Sequence, residues 1–529
     1  MNAPDVTVVT AVYNTMPYVT RCVESVLEQT LGVDRIELIA VDDGSTDTSG
    51  AELDRFAEAH PETVKVVHQV NSGGPANPSN VALELATGRY VFFLGSDDHL
   101  GPEALERMVN CADEHSSDVV MGLMVGVGGR RAPKTAFEQP GTDVPFPRSK
   151  LVWALSNTKL FRRDLVERLN LRFCEDVSVY SDVPFTIEAM ANARKVSNLA
   201  DYEYYYTVER ENALNVTYSS KLSERLFAIR RIVDTICRLY EPGPERDALL
   251  YRTFAYEQWI LLQEGFVVLD GAGRREICDG VADLADAHLT DEMRRRLPVQ
   301  KRVRLALAQA RDIPRLIEAI EFVEPVGFTV ESGRAFARYP GFRDDAAKLD
   351  DETFELLGDK VTVRFARGVE PRRFVWTGAG RDEYAIEYSF SLPVEGIDAE
   401  AVKVGLVRLK GDKSPRKRTA RPADEGAGPQ IEADVVCEPA GDETVVIARM
   451  PCAELAAKAP GRWSLRGYIE LGDFVYDLPL KSPHDRVQRQ GLPRGVSVEW
   501  GDKRALAVRV SERATRRGLA RLLRPSRKK

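Results

Sequence analysis

The first 100 residues alternate between short runs of apolar, often β-branched residues and segments with the spacing of amphipathic helices. This alternation is typical of a parallel sheet built from βαβ units, whose strands end along one edge. The pattern therefore predicts an α/β domain. Strands are predicted at 6–12, 36–41, 64–68 and 90–94, and helices near 17–29, 48–59, 79–86, 102–114 and 153–169.

The hydrophobic pattern changes twice farther along the chain. From Lys221, apolar residues at helical spacing continue through 251–269, 276–287 and 303–320. Beyond about Asp345, alternating segments such as VTVRFA, YAIEYSFSL and WSLRGYIEL predict a β-sandwich. The predicted parts are an α/β domain at 1–215, a helical linker region at 216–344, a β-sandwich at 345–510 and a basic tail at 511–529.

Composition narrows the class of protein. At 529 residues the chain is too long for one ordinary core, and 43% hydrophobic and 29% charged residues fit a soluble globular protein. It has no run of 18 apolar residues and no N-terminal signal-peptide pattern. Its seven cysteines include no close pair, which argues against a disulfide framework, and the net charge of −8 disfavours nucleic-acid binding. We expect a cytoplasmic protein.

Two basic segments contrast with the acidic chain. One is KGDKSPRKRTARP at 410–422, and the other is the tail 513–529, which carries eight basic residues and no acidic residue. Each is either a solvated segment or a binding surface for an anionic partner. For the tail, that partner would be the inner face of the cell membrane.

Two adjacent carboxylates, Asp97 and Asp98, come shortly after the predicted strand 90–94. Ligands of open α/β sheets bind at the carboxyl ends of the strands. Paired carboxylates there suit a hard divalent cation that shares its remaining positions with water and phosphate oxygens. The alternative is that they cap the helix predicted at 102–114, because Asp is a common N-cap residue.

Four motifs occur in order in the N-terminal third, namely TAVYN at 10–14, VDDGSTD at 41–47, GGPANPSNVALELATGRYVFFLGSDD at 73–98 and SDVPF at 181–185. Together they resemble the inverting, metal-dependent glycosyltransferases of family 2, which have the GT-A fold. The resemblance covers roughly residues 4–215. It implies transfer of a sugar from a UDP-sugar, with Mn²⁺ or Mg²⁺ as cofactor.

The resemblance implies roles for the acids and for an aromatic residue. Tyr13 and Asp43 are similar to the residues that hold the uracil, Asp97 to the ribose contact and Asp98 to the metal ligand. A flat ring and a carboxylate at the crevice edge also fit stacking on a base and acceptance of its N–H. Asp42 and Asp43 have a second interpretation as caps of the following helix.

Three further residues are expected among the substrate contacts by their places in the motifs. Ala11 and Asn80 lie in the first and third motifs, and Arg210 resembles a basic residue that holds the diphosphate. A guanidinium fork suits phosphate oxygens. Arg210 could instead pair with Glu209 or Glu211.

Inverting transfer requires a base that deprotonates the incoming hydroxyl. The family usually has Glu-Asp ahead of a Phe, and this chain has Ser181 and Asp182 ahead of Phe185, so the resemblance implies Asp182 as the base. The alternative is the upstream pair Glu175 and Asp176, which could also be a surface turn.

The chain departs from the family pattern at three positions. Gly95 replaces the first Asp of the D-x-D-D pattern, Ser79 replaces an Arg, and Ala11 replaces a Pro. Loss of the first Asp leaves the two assigned acids in place. Serine in place of arginine at position 79 weakens any role of the helix predicted at 79–86 in contacts with the nucleobase or the phosphates.

The succession of GT-A domain, helical linker and β-sandwich resembles bacterial wall teichoic acid glycosyltransferases, which attach N-acetylglucosamine to a poly(polyol phosphate). In those relatives the C-terminal β domains trimerise, so a homo-oligomer is expected. The alternatives are transfer to a capsular or lipid-linked glycan, and a catalytically degenerate glycan-binding or scaffold protein.

Overall fold

The computed structural model describes residues 3–210, 220–322, 327–356, 369–377, 385–408, 421–422, 429–441, 443–451, 461–471, 474–478, 480, 496–500 and 506–510. They form two compact units. The first comprises the residues up to 296 together with 308–313, and the second comprises 297–307 together with the residues from 314 onward.

The first unit is built on a mostly parallel sheet with helices between its strands. The strands are β1 (Val6–Val12), β2 (Ile36–Asp42), β3 (Val64–His68), β4 (Tyr90–Phe93), β5 (His99–Leu100), β6 (Val119–Gly122), β7 (Met124–Val127), β8 (Leu160–Arg162), β9 (Val196–Leu199) and β10 (Tyr205–Val208). The helices are α1 (Tyr18–Leu27), α2 (Ser49–Ala59), α3 (Ala76–Leu85), α4 (Ala104–His115), α5 (Arg163–Arg168) and α6 (Asp182–Ala191).

Parallel pairing orders the centre of this unit. Among the described residues the large sheet has the order β3-β2-β1-β4-β8-β6-β9. Strand β1 pairs in parallel with β2 and with β4, and β2 pairs in parallel with β3. The first four strands therefore end along one edge of the sheet, as the sequence predicts.

Alternate side chains of the central strands enter two separate cores. Val8 and Leu38 pack on one face with residues of α1, α2 and α4. Val9 and Ile39 pack on the other face with residues of α3, α5 and α6. Because both faces are covered, these strands are nearly continuous apolar runs, which is why their positions are predicted correctly.

The helix predicted at 153–169 is wrong. The segment consists of a 3₁₀ turn (Lys150–Trp153), strand β8 and the short helix α5. Strand β8 pairs antiparallel with both β4 and β6, inside the sheet. Backbone pairing with two neighbouring strands overrides the local helical pattern, and a single sequence does not reveal such a pairing.

The predicted helical region is confirmed, although the segment predicted as helical at 251–269 is divided among several shorter helices. Its helices are Leu222–Leu239, Pro244–Ala255, Glu257–Leu261, Glu264–Val267, Gly271–His288, Asp291–Arg296, Val299–Gln309 and Ile313–Glu321. Those up to Arg296 belong to the first compact unit, and the predicted domain boundaries stay predictions. No helix among the described residues is long and apolar enough to cross a membrane.

The second unit is mainly β-structure. A short helix lies at Asp351–Phe354. The strands are β11 (Phe328–Glu331), β12 (Arg334–Ala337), β13 (Glu370–Thr377), β14 (Ala385–Leu392), β15 (Val394–Glu395), β16 (Val402–Arg408), β17 (Arg421–Pro422), β18 (Ile431–Glu432), β19 (Asp434–Ala440), β20 (Glu443–Pro451), β21 (Gly461–Leu471), β22 (Phe474–Leu478), β23 (Val496–Trp500) and β24 (Leu506–Val510).

Two antiparallel sheets account for most of these strands. One has the order β13-β14-β20-β19, and the other contains β17-β22-β21-β16-β18 with β24 on β21. Apolar residues that alternate with polar ones along these strands are buried in cross-strand pairs, such as Phe390 with Val446. The first strand pair begins at Phe328, before the predicted boundary of 345. The segment VTVRFA, most of the basic loop 410–422 and the tail 511–529 lie outside the described residues.

An aromatic cluster joins α6 to the central sheet. The Phe185 ring stacks on Phe173 with centroids 4.4 Å apart, and it makes edge contacts with Phe93 at 5.5 Å and Phe161 at 5.4 Å. All four rings are buried. The Phe of the SDVPF motif is therefore a core residue that fixes the start of α6, where Asp182 lies.

Replacement of Phe185 by Ala should lower the free energy of unfolding of the first unit by about 3–5 kcal/mol, because it leaves a cavity among three rings. Hydrogen exchange of β1 and β4 measures this loss as faster global opening. Phe185→Leu, which fills most of the volume, should lose less. Equal protection in wild type and Phe185→Ala would contradict the role of this ring in the core.

Candidate active site

The predicted donor-site residues follow the carboxyl ends of adjacent parallel strands. Val12 at the end of β1 is in register with Asp42 at the end of β2, and Val9 is in register with Phe93 at the end of β4. Tyr13, Asp43 and the acids after β4 consequently lie along the same edge of the sheet. This edge is where ligands bind in open α/β folds.

Strand pairing after β4 fixes the environment of Asp98. The residue directly precedes β5, which pairs antiparallel with β10. This pairing brings the Tyr205 hydroxyl to 2.6 Å from Asp98 Oδ2 and the Val208 backbone N–H to 2.8 Å from Oδ1, and both groups donate to the carboxylate. The orientation of Asp98 is therefore set by β10.

Asp97 faces a guanidinium. Its Oδ2 accepts a hydrogen bond from Arg210 Nε at 2.8 Å, and both side chains are only about one sixth exposed, at 16% and 15%. Arg210 thus pairs with Asp97. Of the alternative partners, Glu209 makes no such pair among the described residues, and Glu211 lies outside them. The structure brings Asp97, Asp98 and Arg210 together, as the motifs predict.

The charge of Asp97 affects Asp98. Burial and the negative charge of Asp97 raise the pKa of Asp98 to about 7, and the nearby charge of Arg130 acts in the opposite direction. Gly95 lies against this pair, since a Cβ at residue 95 would lie 2.8 Å from Asp98 Oδ2 and 3.3 Å from Asp97 Oδ1. The glycine that replaces the family's first Asp is therefore closely packed against the remaining acids.

A divalent cation fits this donor set. Asp98, whose pKa is raised beside a second acid, gains from a positive charge nearby, and carboxylate oxygens are hard ligands. The described residues contain no group of three or more His, Cys, Asp or Glu side chains that could hold a metal. The site would thus supply one or two ligands and leave the other positions to water and phosphate oxygens, a pattern typical of Mg²⁺.

Asp43 is buried and engaged by the loop after β3. Its carboxylate accepts hydrogen bonds from Gln69 Nε2 at 2.6 Å, from the Ser72 hydroxyl at 2.9 Å and from the Ser72 backbone N–H at 3.0 Å. A uracil N–H would share these oxygens with Ser72 and Gln69. The uracil role of Asp43 stays a prediction.

The loop after β1 is tied to the loop after β2. Asn14 Oδ1 accepts from the Thr46 backbone N–H at 2.7 Å, and the Asn14 backbone N–H donates to the Ser45 hydroxyl at 3.1 Å. Tyr13 next to it is 46% exposed, which leaves its ring accessible for stacking on a planar group. Ala11 is half-buried within β1, opposite Val41 of β2.

Asn80 holds the segment that leads to α6. Its Nδ2 donates to the Phe173 carbonyl at 3.0 Å and to Glu175 Oε1 at 2.8 Å, and its Oδ1 accepts from the Phe173 backbone N–H at 2.9 Å. The side chain is buried, as is that of Ser79. These contacts give Asn80 a positioning role, and direct substrate contact by Asn80 stays a prediction.

The two candidate bases have opposite environments. Burial raises the pKa of Asp182, whereas hydrogen bonds from Asn80 and Asn77 lower the pKa of the exposed Glu175. Asp176 forms an ion pair with Arg231. A base gains strength from a raised pKa, so the structure favours Asp182.

The capping alternatives are wrong for both acid pairs. Helix α4 begins at Ala104 with Glu103 at its N-cap, and helix α2 begins at Ser49 with Thr48 at its N-cap. Asp47 Oδ1 accepts from the Ser49 backbone N–H at 2.8 Å, so an acid that the sequence interpretation did not consider serves the start of α2.

Sequence reasoning missed several residues of the site. Tyr205 orients Asp98, Arg130 adds positive charge near it, and Ser72 engages Asp43. Ser72 lies in a loop without a readable motif. Tyr205 could have been noticed, because a run of tyrosines marks the start of its strand in the sequence.

Comparison with known families agrees with the motifs. The family described as "Glycosyl transferase family 2" matches residues 7–177, and the family described as "Glycosyl transferase TarS linker domain" matches residues 225–320. The second match falls on the helices from Leu222 to Glu321. These matches confirm both the resemblance and the helical region that follows the α/β domain.

Named relatives share about two fifths of the chain. A poly(ribitol-phosphate) beta-glucosyltransferase of Bacillus spizizenii is 37% identical over 214 residues, which are 40% of this chain and 34% of that protein. The Staphylococcus aureus poly(ribitol-phosphate) beta-N-acetylglucosaminyltransferase TarS is 35% identical over 39% of this chain and 35% of its own length. The S. aureus enzyme TarP, of the same described activity, is 33% identical over 41% of this chain and 67% of its own. The chain spans about a third of the first two relatives.

Solved structures confirm the fold class. The crystal structure of S. aureus TarS matches with a TM-score of 0.58 and 20% identity, covering 96% of this chain and 85% of that chain. At that identity the match shows the fold alone. A structure of TarS 1-349 in complex with UDP-GlcNAc matches with a TM-score of 0.54 and 27% identity, covering 64% of this chain and 97% of that chain.

His68 bridges two carboxylates beside the site, so we expect thermal stability to depend on pH. His68 Nδ1 lies 2.9 Å from Asp42 Oδ2 and its Nε2 lies 3.0 Å from Asp54 Oδ1, and these contacts raise its pKa. The stabilisation is complete below the unfolded pKa of about 6.5 and is lost as pH rises through the higher folded value. The melting-temperature difference between wild type and His68→Gln should therefore be largest at low pH and shrink on alkalinisation.

The matched control for the histidine bridge is His60→Gln, which changes an exposed histidine at the end of α2. Its melting-temperature difference from wild type should not follow the same curve. A difference for His68→Gln that is independent of pH would show that the protonated bridge contributes nothing.

Proposed function

This chain belongs to glycosyl transferase family 2, and from that premise we propose that it transfers a sugar from a UDP-sugar to a hydroxyl of a teichoic-acid-like polyol phosphate, with inversion and with a divalent metal. The observation that carries the proposal is the half-buried pair Asp97 and Asp98 after β4, with Arg210 beside it. N-acetylglucosamine is the proposed sugar.

In this proposal the acid pair serves the diphosphate end of the donor. Asp98 would hold Mn²⁺ or Mg²⁺, which offsets the negative charge that the departing UDP gains as the sugar bond breaks. Asp97 would contact the ribose, and Arg210, which it holds in place, would meet phosphate oxygens. Tyr13 and Asp43 would hold the uracil at the ends of the two neighbouring strands.

Asp182 is the proposed base. It takes the proton of the acceptor hydroxyl as the oxygen attacks the anomeric carbon on the face opposite UDP. Support comes from its place at the first residue of α6, fixed by the Phe185 cluster, and from its raised pKa. A carboxylate of ordinary pKa would be a weaker base at neutral pH.

The acceptor is proposed from the relatives and from charge. The names of these relatives specify poly(ribitol-phosphate) as the acceptor. The basic segments of the sequence at 410–421 and 513–529 suit retention of a polymer with many phosphates. We place the reaction in the cytoplasm, with the tail as a peripheral contact to the inner face of the membrane, and propose a homo-oligomer such as a trimer.

Asp98→Asn should weaken metal-dependent nucleotide binding. The substitution removes one negative charge from the proposed metal ligand, and loss of even an outer-shell group weakens metal binding about 10–100-fold. In thermal shifts, UDP with Mn²⁺ should stabilise the wild type far more than Asp98→Asn, whereas UDP without metal should give small and similar shifts.

Asp201→Asn is the matched control for Asp98→Asn. Asp201 also accepts from a tyrosine hydroxyl, that of Tyr204 at 2.9 Å, but it is exposed at the surface. Its response to UDP and Mn²⁺ should equal that of wild type. An unchanged response in Asp98→Asn would remove Asp98 from the metal site.

Asp182→Asn should reduce transfer about 10²–10⁴-fold while UDP binding persists, because an amide cannot accept the hydroxyl proton. Transfer is measured from UDP-N-acetylglucosamine to poly(ribitol phosphate). Glu175→Gln should remain within a few-fold of wild type. Full activity of Asp182→Asn would refute its role as the base, and a wild type that neither transfers nor hydrolyses any UDP-sugar would favour the degenerate glycan-binding alternative.

A further inference from the structure

We propose that Lys159 is a positioning residue for Asp182, which holds the base in place and keeps it ionised. This inference rests on the proposed function, since it concerns the base of that reaction. Lys159 lies directly before β8, in the segment whose structure the sequence pattern did not predict.

Lys159 is buried and closely bound by its own segment. The side chain is 1% exposed, and its ammonium donates to the Ala154 carbonyl at 2.8 Å and to the Ser156 carbonyl at 2.5 Å. Its backbone N–H donates to the Asn157 carbonyl at 2.6 Å. The ammonium thus closes residues 154–157 into a tight loop.

This loop contacts the base. The Asn157 backbone N–H donates to the Asp182 carboxylate, and the charges of Lys159 and Asp182 stabilise each other. Lys159 therefore acts on Asp182 in two ways, through the N–H of the loop that it closes and through its own positive charge. Both effects favour the ionised carboxylate.

Two other charged groups face Asp182 from the helical region. Arg252 and Glu257 are both buried and form an ion pair with each other. The Arg252 charge lowers the pKa of Asp182, and the Asp182 and Glu257 charges oppose each other. Of the two positive charges that lower the pKa of Asp182, that of Lys159 has the larger effect.

Closing the loop accounts for the hydrogen bonds of Lys159, but not for its charge beside Asp182. Burial lowers the pKa of Lys159 to about 7, which shows the cost of placing an ammonium in the interior. An apolar residue of similar length would avoid that cost but would leave the Ala154 and Ser156 carbonyls without their donor. The charge is explained if it offsets that of the half-buried carboxylate that must accept a proton during transfer.

Lys159→Met tests the proposal through the pH profile of kcat/KM for transfer. Loss of the positive charge raises the pKa of Asp182, and the base acts in its deprotonated form. The acidic limb of the profile should therefore move to higher pH, and on that limb transfer should fall by up to about tenfold for each unit of the movement. The thermal shift with UDP and Mn²⁺ should match that of wild type.

Two variants separate charge from structure. Lys150→Met removes an exposed lysine of the preceding 3₁₀ turn, one that pairs with Glu138, and its pH profile should equal that of wild type. Lys159→Arg keeps the positive charge, so its acidic limb should stay near the wild-type position even where its overall rate falls. If Lys159→Met does not fold, the position of the limb in Lys159→Arg decides.

Failure of this inference differs from failure of the proposed function. An unmoved acidic limb in folded Lys159→Met, together with an inactive Asp182→Asn, overturns the role of Lys159 and keeps the base. If both Lys159 variants fail to bind UDP with Mn²⁺, the lysine is structural and the inference is overturned. An active Asp182→Asn removes the base itself, and the proposed function fails at that step.

Discussion

Parallel pairing of β1 with β2 and β4 is the constraint on which the first unit depends. The register that places Val12 beside Asp42 and Val9 beside Phe93 brings three chain segments, far apart in sequence, to one edge of the sheet. Covering both faces with helices excludes water from the strands but leaves their ends open. Polar residues at those ends can therefore be partly buried and still reach a ligand, which is how Asp97 and Asp98 acquire their unusual environment.

Buried charge is the second consequence of this arrangement. Each acid near the edge has a specific partner, such as Arg210 for Asp97, Ser72 for Asp43 and His68 for Asp42. Since an isolated buried carboxylate is costly, these partners fix the loops that supply them. The same contacts that satisfy the acids thus order the loops around the proposed donor site.

The sequence predicted what depends on local pattern. Continuous apolar runs located the central strands, and ordered motifs marked the acids after β4. The pattern did not predict helix α6. It did not predict β8, because that strand depends on pairing with β4 and β6, nor the hydrogen bond of Tyr205 to Asp98, because the two residues are 107 apart along the chain. Long-range partners leave no periodic trace in a single sequence.

The two acids that the proposed reaction needs differ in how their charge is offset. Lys159 and the Asn157 N–H belong to the fold, so they favour the ionised form of Asp182 whether or not a substrate is bound, although burial still raises its pKa. Asp98 instead lies beside a second acid, and its pKa of about 7 shows that hydrogen bonds from Tyr205 and Val208 do not fully balance it. A cation that arrives with the nucleotide would complete that balance and displace any proton on Asp98. In the proposed reaction the groups that partly offset the charge of Asp182 are therefore in place before the donor binds, whereas the donor site reaches its working charge only when metal and nucleotide are present.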